Sequence, residues 1–358
     1  MLTIPVIGKN CILEKGELLG TAGKRAAVVT GRSSAVQSGA LDDVRSVLEK
    51  YDTAYVLIAK AQNNPDLENV AVIAEEARRS GADHIIGIGG GSAMDAAKAA
   101  AVLCTNDISP EMLFKGSIKA DPLPIYAVPT TAGTGSEVTP YSVLTVKEKG
   151  TKLSFGDNRM FPRYAFLDHR YTATLGKDAT VDTAFDAFSH AFEGYISKRA
   201  TRTAGILAVE SMKIFFSSLP ELYGRSVSEK VREELLYASM IAGMVISQTG
   251  TTALHSMGYA LTYNRGITHG RANGLLFCAY YMELMKENRR KLEELTGKLG
   301  LGDVDEPMDK IRKLFPEKLD LGMEEIKKYV EDTLKQKSLA YTPAKLDHDT
   351  ILRIFENN

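Results

Sequence analysis

Only three cysteines occur in the 358-residue chain, Cys11, Cys104 and Cys278. They are odd in number, far apart and without CxxC spacing, which argues against a disulfide framework or a zinc ribbon. Each reads as a small buried apolar residue or an inert thiol. An excess of one charge is also missing. The formal net charge is -1, so nothing global favours nucleic acid or an anionic membrane as a partner. No apolar run approaches the roughly 20 residues of a bilayer span, and the longest, around 96–104, is interrupted by Lys98. The opening residues, MLTIPVIGKNCIL, lack the basic start and continuous apolar core of a secretory signal. These absences lead us to expect a cytoplasmic protein with a small-molecule substrate, no nucleic-acid partner and no membrane partner.

What is present is an alternation. Short apolar runs at 25–30, 54–59, 84–88 and 125–128 read as buried strands. Between them, 39–50, 66–80 and 93–103 carry helical spacing. Buried strands alternating with amphipathic helices predict a parallel α/β sheet. An extended patch, 138–153, follows. Beyond about Tyr171, β-branched clusters fade and helix formers dominate. Helices are expected over 178–199, 204–217, 228–258 and 272–299, with two further stretches to the end. A chain of this length exceeds one comfortable core. The expectation is an α/β dinucleotide-binding domain over 1–171 and an all-helical metal and substrate domain over 172–358.

Three motifs carry chemistry. Gly87-Ile-Gly-Gly-Gly-Ser92-Ala-Met-Asp95 lies between a strand and a helix. Consecutive glycines Gly89, Gly90 and Gly91 let backbone approach a ligand, and the helix N-terminus offers N–H groups to an anion such as pyrophosphate. The spacing departs from GxGxxG, and a tight turn capped by Ser92 is the alternative. Pro129-Thr-Thr-Ala-Gly-Thr-Gly-Ser-Glu137 is the second motif, a lining for phosphate and ribose or an ordinary Gly/Thr/Ser loop. Loops after successive strands share one sheet edge, where α/β proteins bind ligands, so together the two favour a nucleotide.

The third motif is a set of metal-ligand types. Asp186 and His190 are four apart in a helical segment and share a face. His255 falls toward the end of the 228–258 segment, and His269 opens His-Gly-Arg-Ala-Asn. One carboxylate and three imidazoles suit Fe²⁺ or Zn²⁺. Singly, His190 or His255 reads equally as a hydrogen-bonded core histidine. His84, His169 and His348 read as structural or surface residues.

GGGSAMD, PTTAGTGSEVTPYSVL, DAFSHAFEGYIS and HSMGYALTYNRGITHGRAN, in that order, resemble the iron-containing (group III) alcohol dehydrogenase family, over about 24–281. The resemblance implies a dehydroquinate-synthase-like fold with cofactor and substrate in a cleft between two domains. It implies that Asp186, His190, His255 and His269 hold the metal, and that Gly90, Gly91, Ser92 and Asp95 form the pyrophosphate loop. Thr130, Thr131 and Thr134 would contact adenine, ribose and phosphate, and Lys152 would reach the cofactor ribose.

Two positions depart from the family pattern. Many members carry a further histidine four residues after the third ligand, where this chain has Tyr259. Tyr259 is thus a catalytic candidate beside the metal centre itself. NAD-preferring members often place an acidic residue after the first strand of the nucleotide domain. This chain has Gly31-Arg32-Ser33-Ser34 there, and Arg32 with two hydroxyls suits a 2′-phosphate. NADP(H) is therefore expected over NAD(H).

The expected reaction is reversible hydride transfer between a small primary alcohol or diol and its aldehyde, with Fe²⁺, or Zn²⁺ or another divalent ion, as Lewis acid. The rival readings are a glycerol- or propanediol-type polyol dehydrogenase, a dehydroquinate-synthase-like non-redox cyclase, and a silent relative. Phe185, Phe188, Phe192, Met257, Tyr259 and Leu261 in the metal-site segments weigh against the multiply charged substrate a cyclase needs. A homodimer is expected from the prevalence of two-fold oligomers, with the strand-like N-terminus available for pairing.

Overall fold

A computed structural model describes residues 3–358. The chain divides into two units, Met1–Leu175 and Gly176–Asn358. In the first, chain order runs β1 (Ile4–Ile7), the one-turn helices α1 (Cys11–Glu14) and α2 (Glu17–Gly20), β2 (Arg25–Thr30), and α3 (Ser34–Gln37). It continues through α4 (Ala40–Lys50), β3 (Ala54–Ile58), α5 (Leu67–Arg79), β4 (His84–Gly89), α6 (Gly91–Thr105) and β5 (Ile125–Pro129). The strands β6 (Tyr141–Val146), β7 (Thr151–Gly156) and β8 (Tyr164–Leu167) complete it.

Six strands form one parallel sheet in the order β1-β8-β5-β4-β2-β3. Alternate residues of β2 and β4 serve opposite faces. Ala27, Val29 and Ile85 pack with α5 and α6, whereas Ala26, Val28, Ile86 and Ile88 pack with α1, α2 and α4. Burial on both faces is why these strands read as continuous apolar runs. From β2 the chain proceeds to β3 on one side, while β4 leads to β5 on the other. The order therefore reverses between β2 and β4, and the loops leaving them diverge at the switch point where doubly wound sheets bind ligands.

Two features of this unit differ from expectation in extent. The extended patch is an antiparallel hairpin, β6 with β7, that reaches Gly156. The N-terminal strand pairs in parallel with β8, a contact between residues some 160 apart that local pattern does not encode. All three cysteines are free. Burial pushes the Cys11 thiol up to about 12 and that of Cys104 up to about 11, and raises Cys278 as well, so all remain protonated.

The second unit is helical: α7 (Lys177–Ile196), α8 (Arg202–Tyr223), α9 (Glu229–Thr249), α10 (Ala253–Arg265), α11 (His269–Leu299), α12 (Glu306–Leu314), α13 (Met323–Leu334) and α14 (His348–Glu356). Helix α7 is buried nearly all round and packs against α8, α9 and α11, with apolar residues on one side and buried polar ones on the other. Among the described residues no helix is long and apolar enough to cross a membrane.

The expected single helix over 228–258 is two helices. Gly250, at φ +65° and ψ 180°, ends α9, and Thr252 in extended conformation opens α10. His255 consequently lies in the first turn of α10, not near the end of a long helix. Helix α11 likewise begins three residues earlier than expected, at His269 itself. A helix start fixes its first side chains between the packed helix body and the preceding loop, which suits a site residue better than a frayed loop position.

Candidate metal centre and nucleotide loops

Helix α7 presents Asp186, His190 and Glu193 at spacings of four and three, so all three project from one face. Asp186 and His190 are buried at 4% and 6% exposure, and Glu193 is fully buried. The opposite face carries Phe185, Phe188 and Phe192, which interlock with Phe215 and Phe277 at ring-centroid distances of 4.6 to 6.2 Å. These aromatics are core. They fix the helix in place and say nothing about substrate charge, so Phe185, Phe188 and Phe192 do not weigh against a multiply charged ligand as expected. Met257 and Leu261 are fully buried as well.

Against the polar face of α7 stand the first turns of α10 and α11. His255 Nε2 is 3.7 Å from Asp186 Oδ1, and His269 Nε2 is 4.0 Å from the same oxygen. One ligand-type atom from each of Asp186, His255 and His269 falls within 4.8 Å of the others. His190 adjoins this trio through its ring, stacked on that of His255 with centroids 4.4 Å apart. The structure thus brings all four residues of the expected set to one place, three of them as a tight group.

The surroundings hold the donors. Asp182, one turn before Asp186, accepts from Thr268 Oγ1 at 2.5 Å and from Arg271 Nε at 3.1 Å. It thereby ties down both flanks of His269. Burial raises the Asp182 carboxyl, and the bonds from Thr268 and Arg271 oppose that rise. Gly270 allows the close crossing of α11 on α7, because a Cβ there would lie 1.8 Å from the Asp182 carbonyl oxygen. Asn273, fully buried, directs its amide at Asp186 Oδ1 from 3.4 Å.

Glu193 and Asp182 escape a reading of the sequence, although the i+7 spacing of Glu193 from Asp186 was a usable signal. One Glu193 carboxyl oxygen is paired with His255 Nδ1, and the other accepts from the Thr252 backbone N–H at 2.9 Å and from the Thr252 hydroxyl. Burial pushes this carboxyl up, but His255 and Thr252 outweigh burial and hold it below its ordinary value. The carboxylate of Asp186 with the imidazoles of His255 and His269 is a donor set of the borderline kind that holds Fe²⁺ or Zn²⁺. The residues present fit a divalent ion.

In the α/β unit, β4 ends at Gly89 with φ +149°, and α6 begins at Gly91. The first N–H groups of a helix have no intrahelical acceptor and are aimed at whatever sits beyond its end. The second loop, after β5, lies alongside. Thr130 N–H donates to the Gly89 carbonyl at 2.9 Å, and Cβ atoms built on Gly90 and Gly91 would meet Thr131 and Thr134. Thr130 is buried, and its hydroxyl has no hydrogen-bond partner among the described residues.

Asn64, from the loop after β3, joins two further residues of the set. Its N–H donates to Ser92 Oγ at 3.1 Å, and its side-chain oxygen accepts from Lys152 Nζ at 3.0 Å. Ser34 Oγ would lie 3.8 Å from a Cβ on Gly89, while Arg32 and Ser33 are exposed just after β2. The residues named after β2, β4 and β5, with Lys152 of β7, therefore gather at the carboxyl edge of the sheet.

Beneath this edge Asp95 and Lys98 belong to a buried polar group. Lys98 Nζ donates to Ser136 O, Ser136 Oγ and Tyr141 O at 2.6 to 2.9 Å. Ser136 Oγ in turn donates to Asp95 Oδ1 at 3.1 Å. Burial raises the Asp95 carboxyl and lowers the Lys98 ammonium to about 8. This arrangement gives Asp95 a role in bracing the two loops against each other.

Comparison with known proteins agrees with this geometry. The iron-containing alcohol dehydrogenase model matches residues 3–169, and the family's C-terminal model matches 180–358. A sulfoacetaldehyde reductase of Bilophila wadsworthia is 33% identical over 264 residues, 74% of this chain and 67% of its own. The crystal structure of an iron-containing alcohol dehydrogenase from Thermotoga maritima superposes with a TM-score of 0.93 at 39% identity, covering 100% of this chain and 98% of that one. A sulfoacetaldehyde reductase from Bifidobacterium kashiwanohense, solved with NAD⁺, gives 0.88 at 29% identity, covering 99% and 96%. The chain belongs to the iron-containing alcohol dehydrogenase family.

Proposed function

We propose that the protein is a metal-dependent alcohol dehydrogenase and aldehyde reductase acting on a small primary alcohol or diol, with Asp186, His190, His255 and His269 as its metal ligands. The observation that carries this reading is the convergence of Asp186, His255 and His269 from three helices, with His190 stacked beside them. An Fe²⁺ or Zn²⁺ ion held there supplies Lewis acidity to an alcohol or carbonyl oxygen. The chain's own residues do the rest. Asp186 provides the only anionic donor of the set, and Asp182, Asn273 and Glu193 hold donors in orientation.

Gly89, Gly90, Gly91 and Ser92 would take the pyrophosphate on the first N–H groups of α6, braced from below by Asp95. Thr130, Thr131 and Thr134 would line the adenosine and phosphate portion, and Lys152 would reach the ribose. NADP(H) in preference to NAD(H) is part of the reading. Gly31 offers no carboxylate to repel a 2′-phosphate, and the exposed Arg32 and Ser33 stand beside Ser34 where such a group would lie. A homodimer joined along the outer edge of β1 is also part of it. That edge is where Ile4 and Ile7 are about half exposed, an arrangement that invites pairing.

Chelator-stripped protein reconstituted anaerobically with Fe²⁺ tests the whole. Reduction of a short aldehyde should appear only with metal and run faster with NADPH than with NADH. Equal catalytic efficiency with both cofactors removes the Arg32 argument. No turnover despite bound metal and nucleotide removes the redox reading.

A further inference from the structure

Glu193 is a buried carboxylate that pairs with a residue of the metal group without itself belonging to that group. Its two oxygens have different surroundings. Oε1 faces two backbone donors, the Thr252 N–H at 2.9 Å and the His255 N–H at 3.4 Å, together with the Thr252 hydroxyl. That hydroxyl is in turn 2.9 Å from Tyr280 OH. Oε2 faces His255 Nδ1. All of this is buried, with Glu193 and Thr252 both fully so. The backbone donors are the first N–H groups of α10, so the carboxylate also sits where that helix favours negative charge.

We infer that Glu193 is a positioning residue that sets the tautomer of His255. The proposal rests on the metal-site reading above. With Oε1 engaged by two backbone N–H groups and a hydroxyl, Oε2 is the oxygen left to accept from the imidazole, so Nδ1 carries the imidazole proton. Nε2 is then left as a lone pair, and it is the nitrogen directed toward Asp186. Helix α7 thus contributes two ligands directly and, one turn further on, prepares a third that arrives from α10. Such partners of metal-bound histidine govern affinity by about 10–100-fold.

The surroundings make one substitution decisive. In Glu193→Gln the carbonyl oxygen must occupy the Oε1 position, because two backbone N–H groups point there and cannot turn away. The amide NH₂ then faces His255 Nδ1, which has to accept. The proton moves to Nε2, and the lone pair a metal needs is gone, with side-chain shape unchanged.

Two measurements test this, one of them independent of metal. Long-range ¹⁵N–¹H correlation spectra of metal-free, histidine-labelled protein identify the tautomer, with His255 assigned from its loss in His255→Asn. The wild type should show Nδ1–H, and a wild type with Nε2–H overturns the proposal whatever the variant does. Folded Glu193→Gln should show Nε2–H and bind Fe²⁺ or Co²⁺ about 10–100-fold more weakly in competition with a chelator. Unchanged affinity in the folded variant overturns the proposal as well. A wild type that takes up no metal would sink the metal-site reading instead, and the tautomer spectrum would still decide the role of Glu193.

Discussion

Tyr259 lies flat against His269, with ring centroids 4.9 Å apart and planes inclined by 18°. It is one turn beyond His255 in α10, so that turn of helix presents one imidazole to the metal group and braces another. The sequence marks Tyr259 as the position where many relatives carry a histidine, and hence as a catalytic candidate. Its stacking gives it a second duty that needs the ring and not the hydroxyl. Tyr259→Phe keeps the stack, so metal content should be unchanged and turnover altered only modestly. Tyr259→Ala loses a contact of about 0.5–1.5 kcal/mol, which should weaken metal binding by up to about tenfold. Metal titration and steady-state kinetics on both variants separate the two duties. A collapse of turnover in fully metallated Tyr259→Phe would make the hydroxyl catalytic.

How far the sequence could be read depended on the range of the interaction. Strands β2 to β5 and helices α4 to α6 were legible because burial on two faces leaves apolar runs, and one buried face leaves a helical period. The pairing of β1 with β8 was not, since it joins the two ends of the unit. The break between α9 and α10 left a local trace, Gly250 followed by two threonines, that was overridden by the helical period on either side. Four residues suited to metal binding stood out by type and spacing. Of their supports, Glu193 left only its i+7 spacing from Asp186, and Asp182 and Asn273 left no trace, because a buried carboxylate or amide declares its purpose through what it touches. The phenylalanines show the converse error: apolar residues adjacent in sequence to a site belong to the core behind it.

Gly270 controls how closely α11 approaches α7 beside the metal group. A Cβ at this position would lie 1.8 Å from the Asp182 carbonyl oxygen and 3.2 Å from Asp186 Cβ. The first obstacle is backbone, which cannot rotate aside. In Gly270→Ala the start of α11 must therefore move away from α7, carrying His269 with it. Overpacking of this kind costs about 1–3 kcal/mol, and metal stoichiometry should fall along with the thermal midpoint. Gly297→Ala is the control beyond the kink that Asn288 puts in α11, since a Cβ there meets nothing within 4 Å. That variant should hold its metal and gain up to about 1 kcal/mol, as alanine is the better helix former. Equal metal content in the two variants would show that α11 is not registered on α7 through Gly270.

Glu137 should make the stability of the α/β unit fall as pH rises from about 4.5 to about 7. It is buried at 2% exposure, and one of its carboxyl oxygens has no hydrogen-bond partner among the described residues. Burial pushes its carboxyl up from 4.5 to about 7, although its own backbone N–H and the nearby Lys98 oppose the rise. A carboxyl whose folded pKa exceeds its unfolded value binds more protons when folded. Its stabilising contribution is complete below about 4.5 and disappears as pH climbs through about 7. The shift corresponds to about 3 kcal/mol across that window. Lys98 acts in a separate window: burial lowers its ammonium from 10.5 to about 8, so its effect is a gain in stability between those two values. Glu137→Gln keeps the shape and removes the ionisation. Its stability relative to wild type should therefore improve by about 3 kcal/mol between about pH 4.5, where the folded carboxyl is as neutral as the amide, and about pH 7.5. Urea unfolding of both proteins at the two ends of the window reads the difference directly. Parallel stabilities across it would mean that Glu137 titrates in the folded protein as it does in the unfolded chain.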